Sequence, residues 1–146
     1  MNTIETLSAL ANIATAAAVV VGAWQLVLAH RLSVTNFEDT FAKEYRDLAM
    51  NLPTKALLGE ALSDDEHVKH FDEMYHYFDL CNEQVFLHTV GRVSDKTWIF
   101  WKDGIASNLR RPAFKRAWSE IAARANGDFS ELKALFPPDP YPDERA

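Results

Sequence analysis

An uncharged stretch near the N-terminus sets the architecture of the chain: Thr6-Leu-Ser-Ala-Leu-Ala-Asn-Ile-Ala-Thr-Ala-Ala-Ala-Val-Val-Val-Gly-Ala-Trp-Gln-Leu-Val-Leu-Ala29. As a helix it would extend roughly 36 Å at about 1.5 Å per residue, enough to cross a hydrocarbon core of about 30 Å. We therefore expect residues 1–30 to form a transmembrane anchor. Two alternatives stay open: a buried Ala-rich helix of a soluble bundle, and a cleavable signal peptide, which would need a positive n-region that residues 1–5 lack.

The charged residues follow this stretch. The chain of 146 residues has 15 Lys+Arg, 21 Asp+Glu and a net charge of −6, and only Glu5 precedes the uncharged stretch. Because Arg31, Lys43 and Arg46 follow it, the positive-inside rule predicts that the C-terminal side is cytoplasmic. The acidic balance argues against DNA as a partner. The single Cys excludes an internal disulfide framework.

Small residues recur on one face of the predicted anchor. They are Ala11, Thr15, Ala18 and Gly22, at spacings of three and four. In lipid, helices associate where small residues let their backbones approach closely. The sequence therefore predicts a homo-oligomer formed through the anchor, although an Ala-rich stretch also contains such spacings by chance.

Residues 31–136 predict an all-α cytoplasmic domain. The anchor helix is expected to continue to about Asn51, and Ser63-Asp-Asp-Glu66 matches a capping box that opens the next helix. That helix should bury one face and end at Gly91. The face consists of Phe71, Met74, Phe78, Cys81 and Val85.

Three further helices are expected. Ser94 or Asp95 caps the first, Pro112 opens the second, and Asp128-Phe-Ser-Glu131 is a capping box for the third. The first two carry apolar stripes, Trp98, Trp101, Ile105 and Leu109, then Phe114, Trp118, Ile121 and Ala125. Residues 137–146 hold four of the six prolines, which predicts a disordered or extended tail.

Reactive side chains form no recognised catalytic motif. His67, His70 and His76 lie among acidic residues, but they complete no zinc motif, so a solvated polar face is expected there and no metal. Cys81 lies on an apolar stripe and should be a buried small hydrophobe. The sequence contains no Gly-rich phosphate loop and no nucleophile motif. We therefore expect a protein without enzymatic activity or cofactor.

Four cations surround the predicted start of the helix at Pro112: Arg110, Arg111, Lys115 and Arg116. The first turn of a helix favours acids, so this cluster needs another explanation. Free backbone N–H groups together with Arg and Lys suit phosphate. We expect an anion site for lipid headgroups or a nucleotide. Trp98 and Trp101 could stack on a base, although their spacing also suits the core.

Several aromatic motifs support a resemblance to known proteins: Tyr77-Phe-Asp-Leu-Cys-Asn-Glu-Gln84, Gly91-Arg-Val-Ser-Asp95, Trp98-x-x-Trp101 and Pro112-x-Phe-x-x-x-Trp118. With the anchor, the chain resembles small bacterial single-pass membrane proteins of unknown function that have a helical cytoplasmic domain. Some proteins of this architecture look like antiphage effectors, which bind cyclic oligonucleotides and oligomerise to perturb the membrane. The leading hypothesis is an anchored, non-enzymatic interaction or sensing module that binds a partner or anionic ligand. The alternative is such an effector.

Overall fold

The computed structural model describes residues 2–139, and within that range the chain is all-helical with no strand, as predicted. The chain forms two compact units, Met1–Phe37 and Glu38–Ala146. The helices are α1 (Thr3–Ala49), α2 (Thr54–Leu57), α3 (Asp64–Lys69), α4 (Phe71–Thr89), α5 (Asp95–Leu109), α6 (Pro112–Arg124) and α7 (Ser130–Leu135).

Helix α1 contains the uncharged stretch and is long and apolar enough to cross a membrane. It continues to Ala49, which confirms the prediction that the anchor helix runs on to about Asn51. Its apolar side chains are exposed: Val20 by 67% and Trp24 by 66%. Phe41 is its one buried residue within the described range. The first compact unit ends at Phe37, seven residues after the predicted end of the anchor.

The capping box at Ser63 is confirmed. The Ser63 hydroxyl accepts a hydrogen bond from the Glu66 backbone N–H at 3.3 Å, and the Glu66 carboxylate accepts one from the Ser63 N–H at 3.0 Å. The hydrogen bond from Lys55, followed by that from Ser63, lowers the pKa of Glu66 to about 2. The sequence predicted one continuous helix from here to Gly91. The structure instead has two helices, α3 and α4. His70, at φ −108° and ψ 16°, separates α3 from α4 because its backbone lies in the bridge region.

Helix α4 packs against α5, α6 and α7 and forms the centre of the core. Four members of its predicted buried face are buried, while Phe71 is half-buried. Aromatic rings fill the space between α4 and α6: Tyr77 lies edge-on to Phe114 at 5.1 Å, and Phe78 lies 5.1 Å from Trp118. Such pairs add directional attraction to the burial of apolar area.

The predicted ends of α4, α5 and α6 are also found. Gly91, at φ +73°, follows the C-cap of α4, and the N–H groups of Gly91 and Arg92 bond to the carbonyls of His88 and Leu87, each at 2.9 Å. This is the Schellman arrangement. Ser94 caps α5, and Pro112 is the first residue of α6.

The capping box predicted at Asp128 is wrong. The N-cap of α7 is Phe129, a left-handed residue at φ 60° that makes no side-chain cap. Its buried ring contacts Trp118 and Tyr75 edge-on, which holds the backbone in this conformation. The cap comes from α4, where Asn82 Oδ1 accepts the Leu132 N–H at 3.0 Å.

Candidate functional site

The four predicted cations surround the start of α6, but their side chains do not form one cluster. Arg116 bonds Asp64 of α3 at 2.8 Å, and the guanidinium of Arg111 donates to Asn108 of α5. Lys115 bonds Asp139 at 2.6 Å. Arg111, Lys115 and Arg116 therefore each bond a different part of the chain.

Arg110 and Lys115 line one open groove of about 630 Å³, which we call the cationic groove. Its other walls include Trp118 of α6 and Phe136, whose carbonyl accepts the Trp118 indole N–H at 3.0 Å. Lys115 and Asp139 are each 59% exposed, so their ion pair contributes little to stability. Of the four predicted cations, Arg110 and Lys115 are the two that line the same groove.

The two tryptophans proposed to stack on a base lie elsewhere. Trp98 is buried, and its ring is stacked on His88 at 4.7 Å with an interplanar angle of 14°. Trp101 is half-buried and lines a different cavity. Neither lines the cationic groove.

Residues 137–139 have no regular secondary structure, and Pro137 and Asp139 line the cationic groove. The predicted disorder of the tail concerns mainly residues 140–146, which lie outside the described residues.

The predicted solvated face is found in part: His76 is exposed and His70 is half-buried, whereas His67 is buried. His67 is only 4% exposed, and its Nε2 lies 2.9 Å from the Glu120 carboxylate of α6. The ring also packs edge-on against Phe71 at 5.5 Å. The prediction failed because Glu120 lies 53 residues away in sequence. No group of three metal-ligating side chains occurs between residues 2 and 139, and His67 ties α3 to α6.

A buried polar chain connects α4, α5 and α6. Asn108 accepts from Arg111 and donates to the Tyr77 hydroxyl at 2.7 Å. Burial raises the pKa of the neighbouring Cys81 to about 12, although the Tyr77 hydroxyl partly opposes the shift. A thiol with this pKa stays protonated at neutral pH and is not a nucleophile. The prediction that Cys81 is a buried hydrophobe is confirmed.

A second cavity lies within the unit of residues 38–146 and has a volume of about 580 Å³. We call it the aromatic cavity. Helices α1, α4 and α5 build its walls, and the side chains that define it are Tyr45, Arg46, Tyr77, Gln84, Trp101 and Asp103. The sequence placed Trp101 on an apolar stripe and did not predict the cavity. The available signals were Gln84, seven residues after Tyr77 on the same face of α4, and Gly104 inside α5.

Comparison of the chain with protein-family models, with curated proteins and with solved structures finds no match. Its function therefore has to be inferred from its own residues. Those residues offer an unburied apolar helix, the cationic groove and the aromatic cavity.

Proposed function

We propose that the chain is a single-pass protein of a bacterial inner membrane and a non-enzymatic interaction or sensing module. One observation carries the proposal: the uncharged residues of α1 contain no buried side chain, although they are largely apolar. Exposing such a surface to water is unfavourable, whereas a bilayer solvates it. An anchor accounts for this helix, and a core helix of a soluble bundle would be buried.

The flanking charges favour an external N-terminus and a cytoplasmic bundle, because Arg31, Lys43 and Arg46 all follow the apolar segment. Single cysteines introduced by Asn2→Cys and Glu60→Cys test this orientation in intact bacteria. A membrane-impermeant maleimide should label position 2 and spare position 60. Cys81 gives little background because it is buried. The opposite labelling pattern would contradict the orientation.

The cationic groove is the surface that we assign to an anionic ligand. Arg110 has no ion pair among the described residues, and Lys115 has only the exposed pair with Asp139. A phosphate bound there would accept hydrogen bonds from both Arg110 and Lys115, beside the start of α6. Headgroups of anionic lipids and free phosphorylated molecules share this chemistry.

Hydrogen exchange of the full chain in nanodiscs separates the two sources. Anionic lipid should slow exchange at the start of α6 relative to neutral lipid if headgroups bind. Addition of ATP to neutral discs should slow exchange at the start of α6 if a free phosphorylated molecule binds. The double variant Arg110→Ala/Lys115→Ala should lose either effect, whereas Arg116→Ala should keep it because Arg116 bonds Asp64 instead. The groove is not an anion site if protection is the same in all discs.

A second candidate function is an oligomeric membrane-perturbing effector gated by a phosphorylated signal. The observation that favours it is the small-residue face of α1, where the Thr15 hydroxyl donates to the Ala11 carbonyl at 2.9 Å. The face that contains Ala18 and Gly22 can therefore approach another helix without an unsatisfied hydroxyl. Gly22→Ile should abolish crosslinked oligomers in membranes, while Val21→Ile should leave them intact. Equal crosslinking of both variants would exclude association through this face.

A further inference from the structure

The aromatic cavity changes in polarity between its exposed and buried ends. Arg46 of α1 and Asp103 of α5 line it and are exposed. Neither forms an ion pair with the residues that the structure describes. At the buried end lie Tyr77, 1% exposed, and Gln84, 3% exposed. A cation and an anion thus stand at the entrance, and polar groups stand at the floor.

Gln84 is the group of this floor that has no protein hydrogen bond. The Tyr77 hydroxyl already accepts the Asn108 amide at 2.7 Å, whereas the Gln84 side chain makes no hydrogen bond within residues 2–139. Among the described residues, the fully buried side-chain atoms without a partner are His70 Nδ1 and Glu73 Oε2, so the Gln84 amide reaches the open space of the cavity. Because Gln84 lines the cavity, a molecule inside it can supply the missing hydrogen bonds.

We propose that the aromatic cavity binds a free aromatic amino acid whose ring carries a polar atom, as in tyrosine and tryptophan. Arg46 would bind the carboxylate, and Asp103 the ammonium group, of the zwitterion. Tyr45 and Trp101 provide aromatic walls for the ring. Gln84 then bonds the ring hydroxyl or indole N–H. The volume of about 580 Å³ lies in the range of small-molecule sites.

One molecule of this ligand gives a partner to each of Arg46, Asp103 and Gln84. A purely apolar ligand would leave Gln84 unsatisfied, and an anion would leave Asp103 without a partner. The inference extends the proposed function by giving the sensing module a ligand class. It depends neither on the cationic groove nor on the orientation of the anchor.

Calorimetry on the full chain in nanodiscs tests the ligand class. L-Tyrosine or L-tryptophan should bind, and three probes should each remove one contact. L-Phenylalanine lacks the polar ring atom, tyramine lacks the carboxylate, and 3-(4-hydroxyphenyl)propionate lacks the ammonium group. Phenylalanine leaves the Gln84 amide without a partner and should bind at least about tenfold more weakly than tyrosine. Tyramine and the propionate each lose one charge-assisted hydrogen bond and should also bind more weakly.

Two variants test the location. Gln84→Met keeps a similar volume without the amide, so it should reduce tyrosine binding to the level of phenylalanine and leave phenylalanine binding unchanged. Gly104 lines the cavity, and a Cβ at this position would meet no atom within 4 Å, so we expect Gly104→Leu to occupy cavity space. This variant should lose binding and still fold, with a raised Tm, because Gly disfavours helix interiors. Lys115→Ala, in the cationic groove, is the matched control and should bind as the parent does.

The proposal is overturned if neither tyrosine nor tryptophan binds the parent chain at millimolar concentration. It is also overturned if Gly104→Leu retains full binding. Loss of binding in Lys115→Ala with retention in Gly104→Leu would place the ligand in the cationic groove and exclude the cavity. Binding by a chain that proves not to be membrane-inserted would uphold the cavity and reject only the anchor.

Discussion

The Glu38 carboxylate of α1 accepts the backbone N–H of Ser94 at 2.8 Å, and so caps α5 from another helix. Its second oxygen accepts the Thr97 hydroxyl, also at 2.8 Å. An anion at a helix N-terminus satisfies free N–H groups and interacts favourably with the helix dipole. The pair therefore ties the end of α1 to the bundle of residues 38–139.

Removal of this cap should destabilise the bundle. We expect Glu38→Ala to lower the free energy of unfolding by about 1–2 kcal/mol, the usual cost of losing a helix cap with charge-assisted hydrogen bonds. Denaturant unfolding of the full chain in detergent, followed by tryptophan fluorescence, measures the loss. Asp39→Ala is the matched control on the exposed neighbouring position and should change stability by less than about 0.5 kcal/mol. Equal effects of the two variants would contradict the cap.

The same carboxylate predicts a pH dependence. Burial alone would raise the pKa of Glu38, but the hydrogen bonds from Ser94 and Thr97 outweigh burial and lower it from 4.5. Since the folded pKa is the lower one, the ionised group stabilises the fold above about pH 4.5, and that stability is lost as the pH falls through the folded pKa. The difference in Tm between the parent and Glu38→Gln should be constant from pH 7 to 5 and should shrink below pH 4.5. A difference that grows on acidification would refute this.

The contact between His67 of α3 and Glu120 of α6 should stabilise the folded chain. Glu120→Ala leaves a buried imidazole without its partner, which should cost about 1–3 kcal/mol. Arg124 also bonds Glu120 but is 70% exposed, so Arg124→Ala should cost less than about 1 kcal/mol. A double-mutant cycle of His67→Leu with Glu120→Ala measures the coupling. Strict additivity would show that the two side chains do not interact.

Helix α7 offers a direct comparison between a cap predicted from sequence and one found in the structure. Asn82→Ala should cost about 1 kcal/mol, because Asn82 accepts the Leu132 N–H. Asp128→Ala should be nearly neutral, because Asp128 makes no cap. Thermal unfolding of both variants measures the two losses of stability. A larger loss in Asp128→Ala than in Asn82→Ala would show that Asp128 caps the helix, as the sequence predicted.

Cys81 should be chemically inert in the folded chain. Its thiol is buried and its pKa is raised to about 12, so Ellman's reagent at pH 8 should react only after denaturant is added. A variant with an exposed thiol, Thr54→Cys, should react at once with one equivalent. Rapid reaction of the native parent chain would mean that the packing around Cys81 is looser than described.

Features that depend on near neighbours in sequence were predictable. The caps at Ser63 and Ser94 and the helix end at Gly91 each involve residues within a few positions, so local pattern was sufficient. Partners from distant helices were not predictable, as for Asn82 at α7 and Glu120 at His67.

The partners of the four cations near Pro112 were also not predictable from the sequence. Lys115 and Arg116 are adjacent in sequence, but consecutive residues of a helix point about 100° apart. One therefore reaches Asp139 and the other reaches Asp64. The aromatic cavity was missed because its walls come from three helices, and their spacing is set by packing rather than by any one motif.

Flotation of carbonate-washed membranes tests whether α1 inserts into the bilayer. The full chain should float with the lipid and leave it only in detergent. Val20→Arg/Val21→Arg should be released by the wash, because each arginine at the centre of a spanning helix costs about 3 kcal/mol of insertion free energy. Recovery of the parent chain in the soluble fraction without detergent would show that α1 does not anchor the chain in a membrane.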